Sequence, residues 1–335
     1  MNESWVEKFR PNNLNEVESQ EDIIMSLKNC IKTKNIPHLL FFGPSGCGKT
    51  STILALSKEI FGPKYWSDRV IELNASDERG IKVVREKIKR YAMNSVSIDP
   101  DIPPWKIIIL DEADNMTSDS QFALRKIMED YSKVTRFCII CNYHNKIIDP
   151  IVSRCSLYRF KPIPKENICL KLKDICLKEG TNISNESVEM IESISRGDLR
   201  KAINFLQRCR NFKNLINTTD NNIINNELIE TMSGIIPHKM IVDFVEASIY
   251  TSINNNSMNL VDKMINDFYQ QSYSLTIMIP YILNIIIHHK KLTDNVKSLI
   301  VQKLLSIDNY LINGCDENIQ YNRLAYSINY YTSTN

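Results

Sequence analysis

The stretch Gly43-Pro44-Ser45-Gly46-Cys47-Gly48-Lys49-Thr50 has the spacing G-x-x-x-x-G-K-[ST], which is that of a phosphate-cradling P-loop. Glycine opens backbone conformations closed to other residues, so successive N–H groups can converge on anionic oxygens. Lys49 then offers a cation to the β- and γ-phosphates of a nucleoside triphosphate such as ATP. The Thr50 hydroxyl offers a hard oxygen to Mg²⁺. The expected cradle runs from Gly43 through Ser51, with a helix N-terminus aimed at the anion.

A second constellation lies sixty residues on. Trp105-Lys106-Ile107-Ile108-Ile109-Leu110-Asp111-Glu112-Ala113-Asp114 is an apolar run that ends in acids. On a P-loop sheet the strand beside the nucleotide strand is expected to deliver a carboxylate to the metal. That makes Asp111 the candidate Mg²⁺ partner and Glu112 the candidate general base for the attacking water.

These side chains need a rigid frame. Residues 38 to about 160 alternate apolar runs with helical spacing, the rhythm of a parallel sheet with helices on both faces. Strands are expected at His38–Phe42, Val70–Asn74, Trp105–Leu110, Phe137–Cys141 and Leu157–Phe160, and a helix from Lys49 to Ile60. A helix from Thr117 to Tyr131 is amphipathic through Phe122, Leu124, Ile127 and Met128. After Pro162 and Pro164 the pattern becomes wholly helical. Ser184 is placed to cap a helix, and Ser195-Arg196-Gly197-Asp198 turns into another that begins at Leu199. Residues 217–226 are rich in asparagine and read as a polar connection. The last hundred residues show helical periodicity, with Leu275 to Ile287 expected as a buried helix too short to span a bilayer.

Composition sets bounds. The chain has 335 residues, with 41 Lys and Arg against 39 Asp and Glu, for a net charge of +2. Binding to a polyanion therefore needs a local patch rather than an overall basic charge. Nine irregularly spaced cysteines, with no secretory leader at Met1, fit a reducing compartment. Cys138-x-x-Cys141 lies in an apolar run and is expected to be core rather than a zinc site. Arg79, Lys82 and Arg85 stand close together at a helix start, with Lys146 a further basic candidate. Such a cluster could track a nucleic-acid backbone, independently of sequence and with strong salt dependence, or be a solvated basic face.

Further motifs identify the chain as resembling a known family. Asp111-Glu112-Ala113-Asp114, Asn142 after its strand, Ser153-Arg154-Cys155 and Gly197-Asp198-Leu199-Arg200 resemble the motif series of AAA+ clamp-loader subunits. Trp5-Val6-Glu7-Lys8-Phe9-Arg10-Pro11 and Asn74-Ala75-Ser76-Asp77-Glu78-Arg79-Gly80 narrow the resemblance to the small subunits of replication factor C. It runs almost end to end, through Ser233-Gly234-Ile235-Ile236-Pro237. Thr135-Arg136-Phe137-Cys138 and Phe160-Lys161-Pro162 point to one eukaryotic paralogue group.

The resemblance implies an α/β AAA+ nucleotide-binding domain over residues 1–163, a helical lid over 164–234 and a helical oligomerisation collar over 235–335. It implies that Asn142 acts as sensor 1 and Arg200 as sensor 2, both near the γ-phosphate. Arg154 would serve in trans on a neighbouring subunit's nucleotide, while Val6 and Arg10 line the base side. The expected partners are other replication factor C subunits in a heteropentamer, a PCNA-like sliding clamp, and primer–template DNA held by Arg79, Lys82, Arg85 and Lys146. One end of the Thr117–Tyr131 helix would face the clamp, and the nucleus would be the location. A non-hydrolysing ATP-binding scaffold and another AAA+ DNA-processing ATPase are the alternative readings.

One departure is visible. Many family members have Gly-Pro-Pro-Gly-Thr-Gly-Lys-Thr where this chain places Ser45 and Cys47. A thiol at a helix N-terminus has a lowered pKa, so Cys47 is a candidate reactive cysteine unless it is shielded.

Overall fold

The computed structural model describes residues 4–75, 81–94, 102–216, 223–234, 236–250 and 255–333. They fall into two compact units, Met1–Asn225 and Asn226–Asn335.

The first unit is built on a parallel five-stranded sheet. Its strands are β1 (His38–Phe42), β2 (Val70–Asn74), β3 (Lys106–Asp111), β4 (Thr135–Cys141) and β5 (Cys155–Arg159), in the order β2-β3-β4-β1-β5. Helices α1 (Trp5–Lys8), α2 (Glu21–Lys32), α3 (Lys49–Arg69), α4 (Ile81–Met93), α5 (Ser118–Asp130) and α6 (Asp149–Val152) connect and cover it. All five expected strands form, β1 and β2 at the expected bounds and the other three with ends shifted by a residue or two.

The inner strands β3, β4 and β1 are buried on both faces, which is why they read as near-continuous apolar runs. The edge strands β2 and β5 are only partly buried and carry Glu72, Ser156 and Arg159. Leu39, Phe41, Ile107, Ile109, Cys138 and Ile140 point to one side, against Ile23 and Leu27 of α2 and Ile53 and Leu56 of α3. Leu40, Ile108, Leu110, Phe137, Ile139 and Cys141 point to the other, against Ile88 of α4 and Leu124 and Met128 of α5. Cys138 and Cys141 thus lie on opposite faces of one strand and cannot share an ion. Among the described residues no cluster of metal-binding side chains occurs.

The helix expected to stop at Ile60 continues to Arg69, but not smoothly. Gly62 has φ 65° inside it and Pro63 follows, so the chain kinks where the first helical stretch ends. Proline suits the first turn of the stretch that resumes.

Beyond the sheet the first unit adds α7 (Lys165–Lys178), α8 (Asn185–Ser195) and α9 (Leu199–Ile216). The Ser184 hydroxyl accepts the Ser187 N–H at 3.1 Å, the expected cap of α8. This segment is not wholly helical. Asn182–Ile183 (β6) pairs in parallel with Ile223–Ile224 (β7), closing a short ladder over a run that composition marks only as polar.

The second unit contains α10 (Asn226–Ser233), α11 (His238–Tyr250), α12 (Asn255–Gln270), α13 (Leu275–His288), α14 (Asp294–Ile312) and α15 (Glu317–Ser333). An aromatic group organises its core. The ring centroids of Phe244 and Phe268 are 5.5 Å apart, and Tyr321 stacks on Phe268 at 5.9 Å. Helix α13 buries Leu275, Met278, Ile282 and Ile286, a stripe at three- and four-residue spacing. Its opposite face leaves Ile277 50% exposed, so only one side of this apolar helix is core. Among the described residues no helix is long and apolar enough to cross a membrane.

Candidate nucleotide site

The P-loop leaves the C-terminal end of β1, where parallel sheets gather their ligand-binding loops. Gly43, Gly46 and Gly48 have φ 146°, 68° and 94°, values that side-chain-bearing residues rarely adopt. Space also demands glycine. A Cβ on Gly43 would sit 2.3 Å from the Phe160 carbonyl oxygen, and one on Gly46 would sit 1.9 Å from the Asp198 carboxylate.

Lys49 opens α3 and turns back over the loop. Its ammonium donates to the carbonyls of Gly43 and Pro44, each at 2.7 Å, and to Asn142 Oδ1 at 2.9 Å. Burial pulls its pKa below the ordinary lysine range, opposed by acidic neighbours that include Asp111. Thr50 donates its hydroxyl proton to Asp111 Oδ2 at 2.7 Å. The sheet order corrects the expected adjacency here. The acid-bearing β3 is not beside β1, because β4 lies between them. The inserted strand brings Asn142 next to the P-loop, and Asp111 still reaches Thr50.

Glu112 has φ 54° and ψ 37°, a left-handed conformation in a residue other than glycine. Such strain costs about 1–2 kcal/mol and persists where the surroundings impose it, often at functional sites. Its N–H is held by Asp111 Oδ1 at 2.8 Å, and its Oε2 accepts from Asn115 at 3.3 Å. Glu112 is exposed and lines the cleft.

Val6 and Arg10 form a second wall of the cleft, and Arg200 with Leu199 and Ile203 of α9 a third. Ser45, Gly46, Gly48, Lys49, Thr50, Ser51, Asp111, Glu112 and Asn142 line it from the sheet side. The N-terminal wall is tied to α9. The Trp5 N–H donates to Gln207 at 3.0 Å, and Glu179 bridges Lys8 at 2.5 Å and Arg210 at 2.7 Å. These ion pairs hold the Glu179 carboxyl below the usual carboxylate range. Phe9 and Pro11 of the N-terminal motif also face the cleft, as do Glu18, Ile163 and Lys171, which no motif in the sequence marks.

Cys47 departs from the expectation of reactivity. It is 1% exposed, donates to the Pro44 carbonyl at 2.8 Å, and packs in the sheet's hydrophobic core. Burial pushes its thiol pKa up, outweighing the nearby Lys49 cation.

Arg154 does not line this cleft. Its guanidinium donates to Glu129 at 2.5 Å and to the Pro150 carbonyl at 2.7 Å, on an exposed surface. Lys146 is exposed, with its ammonium 5.5 Å from the Tyr143 ring centroid. Arg79 lies outside the described residues. Lys82 and Arg85 fall in the first turns of α4, where only the backbone is described.

Residues 39–163 match the ATPase family associated with various cellular activities, and residues 237–327 match the replication factor C C-terminal domain. Replication factor C subunit 2 of Schizosaccharomyces pombe is 41% identical over 327 residues, covering 97% of this chain and 93% of that protein. The chain belongs to the replication factor C small-subunit family. Human replication factor C subunit 4 is likewise 41% identical, over 99% of this chain and 89% of its own length. The Archaeoglobus fulgidus small subunit is 41% identical over 97% of both. A Thermotoga maritima RuvB Holliday junction branch migration motor superposes with TM-score 0.54 at 16% identity, covering 82% of this chain and 91% of its own. That likeness shows the AAA+ fold alone. As a replication factor C small subunit, this chain is a nucleotide-binding ATPase and a component of a multi-subunit clamp loader.

Proposed function

We propose that this chain binds ATP with Mg²⁺ at a seam between two subunits and uses hydrolysis to load a ring-shaped, PCNA-like sliding clamp onto primer–template DNA in the nucleus. The observation that carries the reading is the convergence of Lys49, Thr50, Asp111, Asn142 and Arg200 on one cleft beside a glycine-shaped loop.

Each side chain then has a task. The loop from Gly43 to Ser51 and the Lys49 ammonium hold the phosphates, while Val6 and Arg10 flank the base. Thr50 and Asp111 present two hard oxygens within hydrogen-bonding distance of each other, a donor pair that suits Mg²⁺. When bound, the ion offsets charge on the phosphoryl oxygens. Glu112 accepts a proton from the attacking water. Asn142 and Arg200 contact the γ-phosphate end.

Arg154 does not line its own chain's cleft and is exposed, which suits a cation that completes a neighbour's site in trans. A guanidinium is permanently charged and planar, and such a finger is worth about 10³–10⁵ in rate. DNA contact falls to Arg79, Lys82, Arg85 and Lys146, through phosphates and without sequence preference. An end of α5 meets the clamp. The organisation that goes with this function is a nucleotide domain over 1–163, a lid over 164–234 and a collar over 235–335.

The test compares the isolated chain with the assembled loader. The isolated chain should bind ATP but turn it over very slowly. The loader, given clamp and primed DNA, should be stimulated, and Glu112→Gln should lower this chain's share by about 10²–10⁴ while sparing binding. Robust DNA-stimulated turnover by the isolated chain would overturn the proposal.

A further inference from the structure

The Asp198 side chain sits between the phosphate loop and the helix that carries Arg200. It is 7% exposed. Its Oδ2 accepts the Ser45 hydroxyl at 2.8 Å, across 153 residues of sequence. Its Oδ1 accepts the Lys201 N–H at 3.0 Å, and its backbone carbonyl accepts the Ala202 N–H at 3.1 Å. These last two bonds make it the N-cap of α9. The same carboxylate lies so close to Gly46 that any Cβ there would collide with it.

The turn that delivers Asp198 is stiffly built. Arg196 and Gly197 both have positive φ, 51° and 83°, so two successive left-handed residues end α8 and aim the next residue at the loop. Arg200 follows two positions later, in the first turn of α9. A helix turn is rigid, so fixing the cap fixes where the Arg200 backbone stands. An arginine side chain is long and loses much rotamer freedom when ordered, which makes the placement of its origin decisive.

We propose that Asp198 is a positioning residue that registers Arg200 against the phosphate loop, with Ser45 as the loop's half of the contact. One oxygen holds the loop and the other starts the helix, so the two walls of the cleft share a single carboxylate. The inference rests on Arg200 acting at the γ-phosphate end of the nucleotide. It therefore concerns discrimination between ATP and ADP rather than nucleotide binding as such. ADP lacks the group that Arg200 would meet, and losing the registration should leave ADP affinity nearly intact.

The experiment measures dissociation constants for a fluorescent non-hydrolysable ATP analogue and for fluorescent ADP, on the assembled loader. Ser45→Ala removes the hydroxyl and leaves the α9 cap in place. It should weaken the triphosphate analogue by about three- to tenfold and ADP by less than about twofold. Ser45→Thr, which keeps a hydroxyl, should restore the preference. In an Arg200→Ala background, Ser45→Ala should cause no further loss of preference, because coupled residues are non-additive.

Equal weakening of both nucleotides by Ser45→Ala, or an undiminished effect without Arg200, would reduce the contact to loop packing and overturn the proposal. Arg200→Ala that lowers the triphosphate preference while Ser45→Ala does not would sink the registration alone. Arg200→Ala with no effect on preference would sink the assignment of Arg200, and the proposal with it.

Discussion

The Lys49 ammonium donates to Asn142 Oδ1 at 2.9 Å although 93 residues separate them. Register explains the meeting. Strands β1 and β4 are neighbours with Phe42 opposite Cys141, so the residues that follow each strand emerge side by side. The same ammonium donates to two carbonyls of its own loop, those of Gly43 and Pro44. A phosphate entering the cradle must compete with these three neutral acceptors.

Substituting Asn142→Asp replaces one neutral acceptor with an anion that holds Lys49 more tightly. Triphosphate affinity should fall by about tenfold or more. Asn142→Ala should affect affinity far less and single-turnover hydrolysis more. Nucleotide titration beside rapid-quench measurement separates the two. Binding by Asn142→Asp as tight as that of the parent would show that Lys49 does not meet the phosphates.

Arg154 and Glu129 make the second testable pair. Both side chains are more than a third exposed, and Glu129 also accepts from Arg125 at 3.1 Å. The two arginines hold the Glu129 carboxyl below its usual range, Arg125 foremost. A solvated pair contributes little to stability, so the guanidinium can exchange partners at small cost. Arg154→Ala should leave the chain's thermal midpoint within about 2 °C while lowering turnover at the neighbour's site by about 10³ or more. Normal turnover in a loader carrying Arg154→Ala would remove the arginine from the chemistry.

Much of this arrangement is legible in the residues themselves. The P-loop declares its own conformation because glycine at three fixed positions has few other uses, and the inner strands β1, β3 and β4 stand out because burial on both faces leaves them nearly continuously apolar. The order of those strands is different. Nothing local in β4 says that it inserts between β1 and β3, so the meeting of Asp111 and Thr50 is legible from their motifs but the strand order that achieves it is not. Asp198 is the clearest loss. Its sequence context marks a turn and a helix cap, yet its carboxylate also serves Ser45 from 153 residues away. Glu179 is likewise a plain surface-type residue in the sequence but joins Lys8 to Arg210. Such contacts are set by tertiary packing, which leaves no local periodicity to read.

Cys47 shows how burial overrules a local rule. A helix start lowers a thiol pKa, but the core around Cys47 raises it further. Iodoacetamide applied to the native chain should therefore modify Cys315, an exposed thiol, at least about tenfold faster than Cys47. Added nucleotide should change the Cys47 rate little, since the core and not the ligand shields it. Peptide mass spectrometry over a time course reads both rates, and early labelling at Cys47 would contradict the shielding.

His38, at the start of β1, gives the sheet an acid-sensitive joint. Its Nδ1 accepts the Phe137 N–H at 3.2 Å, and its ring lies 5.6 Å from the Phe137 ring. Burial first, and then the neighbouring Arg136 cation, lower its pKa from 6.5 to about 4. Between those values the unfolded chain binds a proton at His38 that the folded chain does not, so stability rises with pH. The contribution is fully present above about pH 6.5 and is lost as pH falls through about 4. With allowance for the part of the ring that meets solvent, it amounts to about 2 kcal/mol. His38→Phe removes the titration and keeps an aromatic ring in the strand. Urea unfolding of the two proteins from pH 7 to pH 4.5 should therefore show the parent losing more stability than the variant, by up to that amount. Parallel losses would mean that His38 is protonated in the folded sheet, and its bond from Phe137 would then have to be made by another group.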